Sequence, residues 1–311
     1  MHLTRRKGAI GAIVALLILA ACTANTGGST SPSTAGSLAA SQSAAASQVA
    51  TVPSDQLIVP GSLFACIDIP YPPQEAFSDS GDPIGSDVDI GREIATRLGL
   101  GFHVENTVFD VIIPALQGNK CDIIISAQNI NADRLKQVDM IPYFKAGQAV
   151  VVAKGNPKGI KTQNDLCGTT VAVQSGTTEL DFLQGTSDYK GAGLSDACVK
   201  AGKPAINIKT FEKDSDALLA LQSGTADSYF ADSPAAGYAV NNHSTQFELS
   251  GITLQEAIEG ISVSKTKTGL RDAVKAALLS MIADGKYQAI LQTWGLTSGG
   301  LTADQVNSGK L

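Results

Sequence analysis

Apolar positions along the chain follow two rhythms, short continuous runs of strand length and longer stretches at helical spacing, and they alternate in a strand and helix order. Residues 62–69 form the first run, closed by the turn Pro70-Tyr71-Pro72-Pro73. Residues 88–98 predict a helix with Ile90, Ile94 and Leu98 inward, stopped by Gly99. Residues 102–105 make the next strand. Ile112, Ile113 and Leu116 then recur at helical spacing, Gly118 and Asn119 stop the turn, and residues 121–125 read as a short buried parallel strand. This order predicts a parallel, doubly wound α/β unit, with residues 148–154 running out of it as a further strand.

A second α/β pattern follows. Residues 170–173 predict a strand, and Gln174-Ser175-Gly176-Thr177-Thr178-Glu179 opens a helix whose unpaired first amides attract anions. Strands at 206–211 and 228–231 flank a helix at 216–221, a strand returns at 261–264, and amphipathic helices over 270–293 break at Asp284-Gly285. In open α/β sheets ligands bind beyond the carboxyl ends of strands. Asp68, the loop bearing Ser126, Ala127, Gln128, Asn129 and Arg134, and Asp232 therefore occupy the expected rim of a site. Arg134 can hold a carboxylate through two parallel hydrogen bonds, and Phe109 supplies an aromatic face at the other end of the same unit. Such a pair suits a zwitterion.

The amino terminus changes the picture of where the chain works. Arg5, Arg6 and Lys7 precede an apolar run over residues 9–21 that is too short to span a bilayer, which predicts an export signal over 1–21. Arg5-Arg6 leaves the export route open. From Thr23 to about Ser54 the chain is Ser, Ala, Thr, Gly and Gln with almost no charge, so it cannot bury a core and reads as a flexible tether over 22–55. The remainder is long enough for two lobes.

Charge and cysteine content exclude several function classes. The formal net charge is −6. Removal of residues 1–21 takes away three positive charges and no negative ones, giving −6 − 3 = −9. No cluster of Lys and Arg interleaved with aromatics is present, which argues against a nucleic-acid partner. Of five cysteines, Cys22 directly follows the expected signal. Cys167 and Cys198 are expected to bridge, whereas Cys66 and Cys121 can pair only if their side chains meet. No two cysteines stand at metal-ligand spacing, so no metal or cofactor is expected. His2, His103 and His243 lie outside the predicted cleft, and enzyme chemistry would have to rest on Asp68, Asp232 or Glu179.

Several motifs occur in order: Tyr71-Pro72-Pro73, Val88-Asp89-Ile90, Ile112-Ile113-Pro114-Ala115-Leu116-Gln117, Cys121-Asp122-Ile123-Ile124, Asp133-Arg134, Ser175-Gly176-Thr177-Thr178, Ala220-Leu221-Gln222-Ser223-Gly224, Ala231-Asp232 and Asp284-Gly285-Lys286-Tyr287. Over residues 56–296 the chain resembles the extracellular solute-binding proteins of family 3, polar amino-acid receptors of ABC importers. The resemblance implies a type II periplasmic-binding-protein clamshell. Its two lobes would each carry a mostly parallel sheet flanked by helices, with hinge crossings near 145–149 and 257–261. Lobe 1 would comprise 56–147 and 260–311, and lobe 2 would comprise 148–259.

By the same resemblance, Arg134 holds the ligand α-carboxylate and Asp232 its α-ammonium. Asn129 and Thr178 add polar contacts, Ser126 and Ala127 line the rim, and Tyr71 with Phe109 sandwich the side chain. Asp68 faces the distal end, favouring a basic side chain or a neutral amide. Gln74 and Ala127 depart from the family pattern, so that choice stays open. Leu19-Ala20-Ala21-Cys22 resembles a bacterial lipobox, implying a lipidated Cys22, a monomer anchored to the outer face of the cytoplasmic membrane, and a permease partner. The resemblance also leaves room for an enzyme, since some relatives are cyclohexadienyl dehydratases, and for a sensory receptor using the same pocket.

Overall fold

A computed structural model describes residues 49–185, 193–254 and 256–310. The expected export signal, Cys22 and most of the tether lie outside the described residues. Strand β1 (Ser62–Ile67) is buried along its second half, as an apolar run covered on both faces should be. A small hairpin of β2 (Ala76–Phe77) and β3 (Pro83–Ile84) follows, then helix α1 (Ser86–Arg97). Gly85 joins them at φ +130°, and a Cβ there would lie 2.1 Å from the Gln74 carbonyl oxygen. Only glycine permits that approach, which seats Gln74 and Glu75 against the start of α1.

Strand β4 (Gly101–Asn106), helix α2 (Ile112–Gln117), strand β5 (Ile123–Ile124), helix α3 (Ala132–Gln137) and the long strand β6 (Val138–Ala146) complete the first crossing of this lobe. The chain then enters the second lobe through β7 (Gln148–Ala153), β8 (Thr170–Gln174), α4 (Thr178–Gln184), α5 (Leu194–Lys200) and β9 (Asn207–Phe211). Helix α6 (Asp214–Gln222), β10 (Ser228–Asp232), α7 (Ser233–Asn242) and β11 (Phe247–Thr253) finish that lobe. Strand β12 (Ala257–Ser264) returns to the first sheet, capped by α8 (Thr268–Ala283), α9 (Lys286–Thr293) and α10 (Ala303–Ser308).

The first sheet has the order β4-β1-β5-β12-β6 and the second β11-β7-β10-β8-β9. In each, three neighbouring strands run parallel and the returning strands pair antiparallel. The architecture is the expected clamshell of two sheets flanked by helices. One crossing passes through Gly147. The other, expected over 257–261, comes earlier, because β12 already pairs with β6 from Ala257 opposite Ala146. Ile90 and Ile94 of α1 and its C-cap Leu98 pack into the first-lobe core with Met281 of α8, while Val151, Ala172 and Tyr229 anchor the second.

Both cysteine pairs are bonded. Cys66 on β1 meets Cys121 with Cα atoms 5.6 Å apart, and Cys167 meets Cys198 at 5.5 Å. The first bridge was open on the sequence; parallel pairing of β1 with β5 brings the two side chains together. Loops of this length give each bond about 4 kcal/mol by the chain-entropy account. Four of the described strands escaped the sequence reading: the two-residue β2 and β3, and the longer β6 and β11. β6 (VDMIPYFKA) breaks the alternation with Pro142, and β11 is interrupted at Gly251, where its ladder shifts.

Asp214 at the start of α6 is buried, and the Tyr229 hydroxyl donates to both its oxygens at 2.8 and 2.7 Å. Burial, against that donor, pushes the carboxyl up to about 7 from 3.8. Below the lower value both folded and unfolded chains hold the proton; as pH rises through the higher one the folded state must ionise a buried group and stability is lost. Urea unfolding at pH 5 and pH 8 is expected to show the wild type losing more stability than Asp214→Asn. Equal losses would contradict this.

Candidate functional site

The carboxyl ends of β1, β5, β8 and β10 converge where the two lobes meet. Asp68, Tyr71, Glu75, Phe109, Ser126, Ala127, Asn129, Arg134, Gln174, Thr177, Thr178, Glu179 and Asp232 line one cavity there, with about 300 Å³ of empty space including its mouth. Nine of the residues expected from the sequence, Asp68, Tyr71, Phe109, Ser126, Ala127, Asn129, Arg134, Thr178 and Asp232, lie in this lining; Gln128, also expected at the rim, does not, its side chain accepting instead from Ser262 Oγ at 2.6 Å. Glu75, Gln174, Thr177 and Glu179 join them without having been expected to bind. Gln174 ends β8, so the strand-end rule applied to that strand also points to it.

Arg134 is not in a loop, as expected, but in the first turn of α3, where the Asn131 side chain caps the helix by accepting from the Arg134 amide at 2.8 Å. Its guanidinium is buried, sits 5.4 Å from the Phe109 ring centroid, and donates to the Asn129 carbonyl at 2.6 Å and the Gly176 carbonyl at 3.0 Å. Gly176 makes the second contact reachable: at φ +76°, a Cβ there would press on Asp110 at 2.8 Å. Burial pulls the guanidinium below its usual pKa, while Glu179, Asp181 and Asp232 pull it back.

Asp232 ends β10 and stands before α7, yet its carboxylate makes no capping bond. It faces the cavity instead. The Tyr71 hydroxyl donates to it at 3.1 Å and Asn129 Nδ2 donates at 3.3 Å, both from the first lobe. Asn129 Nδ2 also donates to Thr178 Oγ1 at 3.0 Å, and Gln148 Nε2 reaches that hydroxyl at 2.8 Å. Thr177 rather than Thr178 caps α4, accepting from Leu180, which frees Thr178 for the cleft. Glu179 is buried in the first turn of α4, and its Oε1 has no hydrogen-bond partner among the described residues.

At the opposite end, Ser126 Oγ donates to Glu75 Oε1 at 2.8 Å, and Glu75 Oε2 has no hydrogen-bond partner among the described residues. Gln174 Nε2 donates to Asp68 Oδ2 at 2.6 Å, and Lys213 forms an ion pair with Asp68 Oδ1. Ala127 adopts the left-handed region at φ 46°, its amide donating to Asp87 at 2.9 Å. Such a backbone costs an alanine about 1 kcal/mol and aims the 126–129 loop at the cleft. Side chains from both lobes therefore bond across the cavity, and the clamshell is closed.

The lining carries four carboxylates (Asp68, Glu75, Glu179 and Asp232) against one guanidinium, that of Arg134. Burial pushes Glu75 well above the usual carboxylate range, reinforced by the charge of Asp87. Burial does the same for Glu179, reinforced by Asp232, and Asp232 is itself raised by burial against its hydrogen bonds. Confined like charges cannot all ionise without a counter-charge. His103 stacks on Phe64 at 4.7 Å, away from this lining. Among the described residues, no group of three His, Cys, Asp or Glu is arranged to hold a metal ion.

The profile of the bacterial extracellular solute-binding proteins, family 3, matches residues 63–297. The arginine-binding protein ArgT of Corynebacterium glutamicum is 32% identical over 262 residues, covering 82% of this chain and 83% of that protein. An ancestral arginine-binding protein solved with arginine superposes at a TM-score of 0.67 with 33% identity, over 75% of this chain and 98% of that one. Its structure with glutamine gives 0.68 and 32%, over 76% and 98%. The ancestral amino acid-binding protein AncCDT-1, a precursor of cyclohexadienyl dehydratase, gives 0.63 and 31%, over 75% and 95%. A profile covering most of the chain, on the clamshell its geometry requires, means that this protein belongs to the bacterial extracellular solute-binding proteins of family 3.

Proposed function

We propose that the closed cleft holds an amino acid, arginine before others, and delivers it to the permease of an ABC importer. The observation that carries this reading is the charge of the lining: Asp68 is paired with Lys213, and three further buried carboxyl groups, Glu75, Glu179 and Asp232, face the one guanidinium of Arg134. Arg134 takes the α-carboxylate, since its own contacts are neutral carbonyls that leave its charge unspent. Asp232 and Glu179 take the α-ammonium. The apolar stem lies along Phe109 and Tyr71, and the distal group reaches the end formed by Asp68, Glu75 and Gln174. A guanidinium there satisfies the unpaired Glu75 oxygen with a charge-assisted donor, whereas a neutral amide supplies a weaker one. Relatives named for arginine and a relative solved with glutamine support this class of ligand.

The chain acts as a monomer outside the cytoplasm, held by a lipid on Cys22, so that the closed body can dock on its permease. The cleft binds without chemistry. A thermal-shift and calorimetry panel of the twenty amino acids tests the reading: saturating arginine raises the melting temperature by about 10 °C, from about 4 kcal/mol of ligand stabilisation. The ligand should be recovered unchanged. No response to any amino acid would overturn the proposal, a response to glutamine alone would reassign the distal group, and a dehydrated product would restore the enzyme reading.

A further inference from the structure

Asp68 was expected to meet the distal end of the ligand, yet both its oxygens are taken by donors from the second lobe. Gln174 Nε2 holds one at 2.6 Å. Lys213, which directly precedes α6, reaches across to the other and also donates to the Ile69 carbonyl at 3.3 Å. The Asp68 side chain is only 5% exposed and that of Lys213 is 25% exposed, so a partly solvated ammonium plugs a buried carboxylate. Asp68 and Lys213 together are neutral. Glu75, the other acid at that end, faces Asp87 and keeps Oε2 without a donor among the described residues.

We infer that Lys213 is a specificity-determining residue: its ammonium stands in for a ligand cation at Asp68, leaves Glu75 to read the distal group, and restrains preference for dicationic over amide side chains. This rests on the amino-acid reading of the cleft. A second positive charge brought to the distal end meets an Asp68 already paired with Lys213 and gains nothing from it, whereas a neutral amide does not need that carboxylate. The effect is electrostatic and local. It differs from a mere bond between the lobes, because a lost bond weakens all ligands alike while a lost cation changes their ratio.

Calorimetric titration of the purified exported protein with arginine and with glutamine reads that ratio directly. Lys213→Met is expected to raise the affinity for arginine relative to glutamine about tenfold, because it leaves the buried Asp68 carboxylate, which lines the cavity, without its cation. Lys213→Arg should restore the wild-type ratio, and Lys209→Met, which removes a nearby surface cation on β9, should leave it unchanged. A Lys213→Met ratio within twofold of the wild type, or shifted toward glutamine, would overturn the assignment while leaving the amino-acid reading standing. If the wild type binds neither compound, that reading falls first and this one with it.

Discussion

Arg134→Ala is expected to weaken amino-acid binding about a thousandfold, because removing one side of a buried charge pair costs about 4 kcal/mol. The reason is geometric as well as electrostatic. The guanidinium is buried, stacked near Phe109 and oriented by two backbone carbonyls, one from each lobe. Those acceptors fix its plane without neutralising it. A carboxylate entering the cavity loses its water and recovers two charge-assisted bonds only if this fork is present. Arg134→Lys keeps the charge and loses the fork, so an intermediate loss of about a hundredfold is expected. Calorimetry gives both values, with circular dichroism to confirm folding, and an alanine variant binding within tenfold of the wild type would remove Arg134 from its role.

Asp232→Asn should cost about a hundredfold in affinity, since the side chain keeps its shape and loses the charge facing the ammonium. Its clearest signature is in pH. Burial raises Asp232, and Glu179 beside it is raised further, so the empty cleft retains a proton above the ordinary carboxylate range. The sign for the empty protein follows: carboxyls with raised folded pKa values stabilise the fold at low pH and cease to do so as pH rises through those values. An ammonium ligand prefers the ionised pair and expels the proton, so its affinity falls as pH falls. Titration at pH 8 and pH 5 should show tighter binding at pH 8, with proton release seen as a heat that depends on the buffer. Asp232→Asn should flatten this dependence. Affinity of the wild type that is constant over this interval would exclude the shared proton.

Much of the scaffold was legible as periodicity. Ile90, Ile94 and Leu98 recur at helical spacing and are buried on one face of α1, because a helix packed on a sheet buries one stripe. β6 was not legible, since Pro142 and a charged Lys145 interrupt a strand whose burial is set by β12 pairing along it. Arg134 was found by its position after β5, although the short helix that carries it depends on Asn131 as its cap. Glu75 gave no comparable signal. It follows a proline turn, and its importance comes from being buried beside Asp87 and Ser126. Lys213 was invisible for a simpler reason: its partner Asp68 stands 145 residues earlier.

The order of strands and helices, the strand-end positions of Asp68 and Asp232, and the cationic, then apolar, then polar amino-terminal segment all follow from local composition, because periodicity and turn residues act over a few neighbours. Which cysteines bond, which carboxylates must share protons, and which cation covers Asp68 depend on groups brought together across two lobes. Burial and Coulomb energy are properties of those distances in space. A linear pattern carries no measure of them until the cleft has closed.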